Sequence, residues 1–198
     1  MLVELVDITE NSEEKIEKAA RLCYDSKENK SVRAGFIQRL INAGHLSVIE
    51  HAKATFLVTG VSRAFSHQLV RHRIASYSQR SQRFCDESNI NADHIVPDSI
   101  LNNDLARIEY TNLTRLSRNT YRRLVSLGIP KEDARFVLTN GTTTKIMITM
   151  NFRTLREFIQ KRGKKNAQWE IRKVAALMLN HLKRHAPNVF GDLKVEGG

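Results

Sequence analysis

Thirteen consecutive residues, from Arg71 to Arg83, contain no acid, and they restrict what this chain can become. They read Arg71-His72-Arg73-Ile74-Ala75-Ser76-Tyr77-Ser78-Gln79-Arg80-Ser81-Gln82-Arg83, with five cations when His72 is protonated, three serines and one tyrosine. Such a segment repels itself and is costly to bury. It is best accommodated where an anion sits among the side chains, because guanidinium forks and hydroxyls match anionic oxygens.

The rest of the chain is compatible with one folded domain over residues 1–198. An apolar share of 41% supplies a core, and a charged share of 27% with only three prolines argues against disorder. The first fourteen residues are acidic and lack a basic start, so no signal peptide is expected. No apolar run approaches a membrane span, and Ala175–Leu179 is among the longest. Two cysteines, Cys23 and Cys85, do not make a disulfide framework. The expectation is a soluble protein of the reducing cytoplasm. The net charge of +11 implies anionic partners, either nucleic acid or a set of anionic small molecules.

Local patterns predict the elements. Leu2–Ile8 alternates as a strand. Asn11, with Glu14 three residues on, reads as a cap to a helix carrying Ile16, Ala19, Ala20 and Cys23, and this makes Cys23 core-facing. A second helix is expected over about 31–43, stopped by Gly44. Residues 52–58 read as a strand ended by Gly60, and 61–71 as a helix from which the arginine-serine stretch runs into a loop. Residues 86–100 read as a long functional or mobile loop. A long helix over about 103–127 has Leu105, Ile108, Leu113, Leu116, Leu124 and Val125 on its expected buried side. A short helix follows over 131–138, entered through Pro130. Residues 142–150 form a strand, and 153–162 and 168–185 form helices, the first capped near Asn151.

Several segments carry chemistry. Ser81-Gln82-Arg83 in a loop offers amides, a hydroxyl and a guanidinium to one phosphate. Gly44-His45-Leu46-Ser47-Val48-Ile49-Glu50-His51, Ala134-Arg135-Phe136-Val137-Leu138, Asn151-Phe152-Arg153-Thr154-Leu155 and the run from Arg162 to Ala167-Gln168-Trp169-Glu170 are further motif-like stretches. There is no Gly-x-Gly-x-x-Gly, and Gly141-Thr142-Thr143-Thr144-Lys145 is only superficially like a Walker loop, so a Rossmann fold is not expected. His181 and His185 stand four apart without a third ligand, so no metal site is expected. Cys23 reads as structural, and Ser81 lacks a positioned base.

Arg-His-Arg, seven residues, then Ser resembles the signature of the flavin-dependent thymidylate synthases, and the other segments resemble further motifs of that family over most of the chain. The resemblance implies an FAD-dependent methyltransferase. It would convert dUMP to dTMP with methylenetetrahydrofolate as one-carbon donor and NADPH as reductant, without a covalent protein nucleophile. It also implies a homotetramer with shared active sites and no nucleic-acid or membrane partner. The implied fold is helix-rich α/β of the α+β type, a central, mostly antiparallel sheet flanked by helices.

By the same resemblance Arg162 activates the pyrimidine, because a guanidinium beside uracil N3 and O4 stabilises the charge that grows as C5 is methylated. The implied dUMP contacts are Gln68, Arg71, Gln79, Arg80, Ser81, Gln82, Arg83, Arg135 and Arg162. The implied FAD contacts are His45, Ser47, Glu50, Arg71, His72, Arg73, Asn151, Arg153 and Glu157. Cys23 aligns with a small residue near the flavin. The chain departs from the family pattern in three places. Gln79 stands where many members have glutamate, Glu157 replaces an asparagine, and Asn166 stands where some relatives have histidine. A basic nucleic-acid-binding module is the rival, but it would lack the interleaved aromatics of single-strand binders, since aromatics are only 7% of the chain. A flavoprotein that reduces a different acceptor is a further alternative.

Overall fold

The computed structural model describes residues 1–23, 25, 35–88 and 94–197. Four strands form one antiparallel sheet in the order β1-β2-β4-β3, where β1 is Leu2–Ile8, β2 Lys53–Ser62, β3 Ala75–Gln79 and β4 Thr143–Asn151. Nine helices accompany it among the described residues. They are α1 Ser12–Leu22, α2 Phe36–Asn42, α3 Arg63–Leu69, α4 Asp98–Leu101, α5 Asp104–Ser126, α6 Lys131–Ala134, α7 Phe152–Arg162, α8 Trp169–His185 and α9 Pro187–Phe190. The antiparallel, helix-rich arrangement expected from the resemblance is the one observed. None of these helices is long and apolar enough to cross a membrane.

The chain divides into two compact units. One comprises Leu2–Val58, Gln68–Ser78 and Met147–Gly198. In it α1 and α7 pack on the 3-10 turn Ser47–His51, α8 packs on α7, α9 and β1, and α2 packs on α1 and α9. Phe56, Phe152, Phe158, Ile159, Ile171, Met178, Leu182 and Phe190 are buried here. Helix α7 starts where Asn151 Oδ1 accepts from Thr154 N at 2.9 Å, and α8 where Gln168 Oε1 accepts from Glu170 N at 2.9 Å. Gly163 ends α7, and it has to be glycine. A Cβ there would lie 2.7 Å from the Ile159 carbonyl oxygen and 3.0 Å from Val195, where the C-terminal segment crosses close by.

The other unit comprises Met1, Thr59–His67 and Gln79–Ile146. Here α5 packs on α4, α6 and the 3-10 turn Arg135–Val137. The face of α5 turned inward carries Thr114, Ser117 and Tyr121. Ser117 Oγ donates to the Val137 carbonyl at 2.6 Å, and Tyr121 Oη accepts from Glu87 N at 3.3 Å. The expected burial of Leu105, Ile108, Leu113 and Leu116 is therefore overturned. These side chains are 77%, 53%, 55% and 64% exposed, so they form an apolar stripe on the opposite side of the helix. Small polar residues let α5 approach the 3-10 turn closely, and the larger apolar residues are left outward. Periodicity identifies the apolar side of a helix but not what covers it.

Other expectations also shift. Asn11 precedes α1 in a left-handed conformation and its side chain makes no capping bond. Cys23 lies just past α1 and is exposed rather than core-facing. Strand β2 continues through Gly60, whose φ of +66 lets it pass Met1 where a Cβ would lie 3.0 Å from the Met1 nitrogen. Much of the arginine-serine stretch is the edge strand β3 rather than loop. The second helix is described only from Phe36, because residues 31–34 lie outside the described residues. Of the expected 86–100 loop, 89–93 also lie outside them, and the stretch runs into α4 at Asp98.

Candidate active site

The functional side chains fall into three groups. The first surrounds Arg162, the last residue of α7. Arg162 Nε donates to His72 Nε2 at 2.9 Å, and its Nη2 reaches the Gln68 carbonyl at 3.4 Å. His72 is half-buried, and its ring meets Phe158 edge-on with centroids 5.0 Å apart. Burial, then the charges of Arg162 and Lys161, push the His72 imidazole down to about 4. The turn that carries His72 is held by Tyr77 of β3. The Tyr77 hydroxyl donates to the Leu69 and His72 carbonyls at 2.9 and 2.8 Å, and burial raises its own pKa to about 12. Arg71 and Arg73, on either side of His72, are exposed and make no ion pair among the described residues. Ile74 follows with φ of 63, a left-handed conformation that a β-branched residue rarely adopts. Arg162 also lines an open cavity of about 850 Å³ with Gln160, Lys161, Lys164 and Asn166.

The second group lies where α7 begins. Arg153 Nη1 pairs with Glu50 Oε1 at 2.7 Å, and its Nε pairs with Glu157 Oε1 at 3.2 Å. The hydrogen bonds that Arg153 donates to Glu50 and Glu157 hold its pKa above its ordinary value. Glu50 sits in the 3-10 turn that follows exposed His45 and begins at exposed Ser47. Asn151, besides capping α7, lines a cavity of about 390 Å³ with Glu50, Ile74 and Ser76. Glu157, the departure from the family pattern, thus makes a clamp of two carboxylates on one guanidinium.

The third group is in the other unit. Ser81 Oγ accepts from Arg83 N at 3.2 Å, and Arg83 Nε donates to Glu132 Oε2 at 2.8 Å. The Glu132 carbonyl in turn accepts from Arg135 Nε at 3.0 Å. Gln82 and Arg135 line a cavity of about 310 Å³ with Arg63, His67, Phe136 and Thr139. Burial, and secondarily the charge of Arg135, lowers the Arg63 pKa. Two guanidiniums that raise each other's energy around a polar cavity form a ready anion site. Thr139 Oγ1 on its wall has no hydrogen-bond partner among the described residues. Gln79 donates to Thr144 Oγ1 at 3.2 Å. Arg80 faces elsewhere, with Nη1 bonded to both oxygens of buried Glu87 at 2.7 and 2.9 Å.

Three of the residues that shape these groups were not singled out in the sequence. Tyr77 fastens the backbone of the turn that carries His72, Glu132 pairs with Arg83, and Arg63 stands eight residues before the signature. Arg63 was the most findable, as a cation in an otherwise uncharged helical segment. His181 Nε2 donates to the Val3 carbonyl at 3.2 Å, and no group of three or more metal-ligating side chains occurs among the described residues.

Residues 4–188 match the family model described as thymidylate synthase complementing protein. The chain is 43% identical to the flavin-dependent thymidylate synthase of Geobacter sulfurreducens, over 97% of this chain and 86% of that protein. It is 38% identical to the enzyme of the same name from Clostridium tetani, over 95% and 84%. The chain belongs to the flavin-dependent thymidylate synthase family. The solved structure of PolB from Streptomyces cacaoi, a UMP/dUMP methylase bound with 5-Br dUMP, is similar with a TM-score of 0.86 and 26% identity. The two cover 96% of this chain and 93% of that one. Within this family the signature arginines and serines, read from sequence as one segment, divide between the Arg162 group and the Arg135 group. Arg71 to Ser78 belong to one compact unit and Gln79 to Arg83 to the other.

Proposed function

We propose that residues 1–198 act as one flavin-dependent thymidylate synthase domain that methylates dUMP to dTMP. The reaction consumes methylenetetrahydrofolate, NADPH and a proton, and yields dTMP, tetrahydrofolate and NADP⁺. The observation that carries the reading is the Arg63–Arg135 cavity, where two guanidiniums, Gln82 and an unsatisfied threonine hydroxyl suit a phosphate monoester. Arg83 beside it, tied to Glu132, and the Ser81 hydroxyl add donors to the same anion.

The residues present also fit FAD. Exposed Arg71, Arg73 and Arg153 with His45 and Ser47 are donors suited to a pyrophosphate, and Asn151 and Glu50 suit sugar or ring polar groups. No glycine-rich dinucleotide loop is needed when side chains supply the donors. Bound FAD supplies the hydride chemistry that no side chain of this chain can perform. The protein binds, orients and polarises. Arg162, held at Nε and Nη2, directs its remaining edge at the pyrimidine and stabilises negative charge developing on N3 and O4. Neither cysteine is required as a nucleophile, since Cys23 is exposed beyond α1 and Cys85 sits in the turn after Ser81.

The active form is a homotetramer in which a second copy covers the α5 stripe. Burying an exposed leucine or isoleucine contributes about 1.5–3 kcal/mol. Leu105, Ile108, Leu113 and Leu116 therefore supply enough driving force, doubled by symmetry, for stable association. The test is dTMP formation by purified protein with each of FAD, NADPH and methylenetetrahydrofolate omitted in turn. Product that requires all three is expected. Product with no flavin, or none under any condition from a yellow, folded protein, would overturn the reading.

A further inference from the structure

His72 contacts the pyrimidine-facing arginine, and the geometry of that contact has a chemical consequence. We propose that His72 is a positioning residue, whose neutral imidazole accepts a hydrogen bond from Arg162 Nε and thereby fixes which edge of the guanidinium is presented to the pyrimidine. This rests on the assignment of Arg162 to dUMP made above.

A guanidinium is a planar fork with five N–H donors, arranged along two usable edges. Nε and Nη2 form one edge. In this chain that edge is taken by the protein, with Nε on His72 Nε2 at 2.9 Å and Nη2 on the Gln68 carbonyl at 3.4 Å. The Nη1–Nη2 edge is left to face the substrate. Arginine cannot deprotonate, so the Nε–H donates, and His72 Nε2 must carry a lone pair. The ring proton is then on Nδ1. An imidazolium could not hold this bond, because both ring nitrogens would be donors.

The surroundings keep the ring in the state the bond needs. The charged groups that bear on it are both cations, Arg162 and Lys161 of α7. Phe158 of α7 packs edge-on against the ring, and Tyr77 of β3 fastens its backbone carbonyl. Arg71 and Arg73 flank it on its own turn. Burial and the two cations hold the imidazole neutral down to about 4, so the contact persists across the range in which an ordinary histidine would titrate. The ring is thus pinned by packing on one side, by its backbone on another and by the arginine at Nε2.

Two substitutions separate positioning from packing. His72→Phe keeps an aromatic ring against Phe158 and loses the acceptor. His72→Gln loses the ring but places an amide oxygen near the position of Nε2. Misplacing a catalytic group by about 1 Å costs on the order of a hundredfold. His72→Phe is therefore expected to lower kcat for dTMP formation about a hundredfold with KM for dUMP within about threefold, and His72→Gln to recover at least about tenfold of that loss. A packing role predicts the reverse order, and that result would overturn the proposal.

A second readout does not use turnover. In holoenzyme labelled with ¹⁵N-histidine, the His72 signals should report the Nδ1–H tautomer with no protonation down to about pH 5, and Arg162→Ala should raise the pKa. An Nε2–H tautomer, or protonation near 6.5, would overturn the proposal even if neither variant folds well. If wild-type protein made no dTMP, the functional reading would fail by itself while the tautomer still decided the hydrogen bond.

Discussion

The two compact units solve the problem of burial differently. The unit built around α7 and α8 seals Phe152, Phe158, Ile171, Met178 and Phe190 between its own elements and leaves only scattered apolar side chains such as Leu2, Leu22 and Ile74 outside. The unit built around α5 buries Val61, Phe65, Tyr121 and Ile146 but leaves a row of leucines and an isoleucine facing out. Two pairs of arginines differ in a parallel way, although each unit also holds arginines of the other kind, Arg71 and Arg73 without an ion pair among the described residues in the first and carboxylate-paired Arg80 and Arg83 in the second. In the first unit Arg153 and Arg156 are satisfied by carboxylates, with Arg156 Nη2 on Asp192 Oδ2 at 2.7 Å. In the second, Arg63 and Arg135 face the same cavity and raise each other's energy. The apolar stripe on α5 is where a second copy is proposed to pack. The cavity lined by Arg63 and Arg135, where buried Glu87 only partly offsets the charge on Arg63, is the proposed phosphate site.

This contrast can be broken most severely at the apolar stripe. Replacing Leu113 and Leu116 together by glutamate puts like charges where the second copy is proposed to pack, and this should dissociate the tetramer and reduce dTMP formation to background. Light scattering and far-UV circular dichroism check it. A tetramer of unchanged mass would mean that the stripe is not the interface.

Arg162→Ala comes next. It should lower kcat by about a hundredfold to a thousandfold while FAD content stays within about twofold, because the lost interaction acts on developing charge. Equal loss of flavin and activity would make Arg162 a structural residue. The Arg153 clamp is expected to respond less. Its partners are exposed and screened by solvent, so Glu157→Gln should leave the melting temperature nearly unchanged. It removes a negative charge and leaves a weaker, neutral acceptor, so FAD should bind about two- to fivefold tighter by fluorescence titration. Weaker FAD binding would indicate that Glu157 itself contacts the cofactor. The smallest effect belongs to the thiols, one in each unit. Cys23→Ser with Cys85→Ser should leave turnover within about twofold, and complete loss in a folded variant would reinstate a thiol mechanism.

Much of this was legible in the residues. Strand β1, helix α5 and helices α7 and α8 follow from alternation, 3.6-residue periodicity and the cap near Asn151, while the caps at Asn103 and Gln168 emerge only in the structure. The direction in which α5 packs was not legible. Apolar patterning reports a preference for leaving water and does not distinguish the chain's own core from another chain. Cys23 was misplaced for a related reason. Its spacing from Ile16 and Ala20 is helical, but α1 ends at Leu22 and the face ends with it. At the site, the signature identified the cations but not their partners. Arg80 looked equivalent to Arg83, yet its guanidinium is bonded to buried Glu87, seven residues away. Such pairings depend on tertiary placement. Tyr77 and Glu132 went unnoticed because each acts through another functional residue, and residue type alone does not reveal that.

The central claim is that the Arg63–Arg135 cavity grips the phosphate of the nucleotide. Calorimetric titration of the holoenzyme with dUMP and with deoxyuridine tests it most directly, because the two differ only in that phosphate. The account predicts that dUMP binds at least about a hundredfold tighter in the wild type, and that Arg135→Ala removes most of that advantage while leaving deoxyuridine affinity within about threefold. A preference for dUMP that survives Arg135→Ala and Arg63→Met together would contradict it.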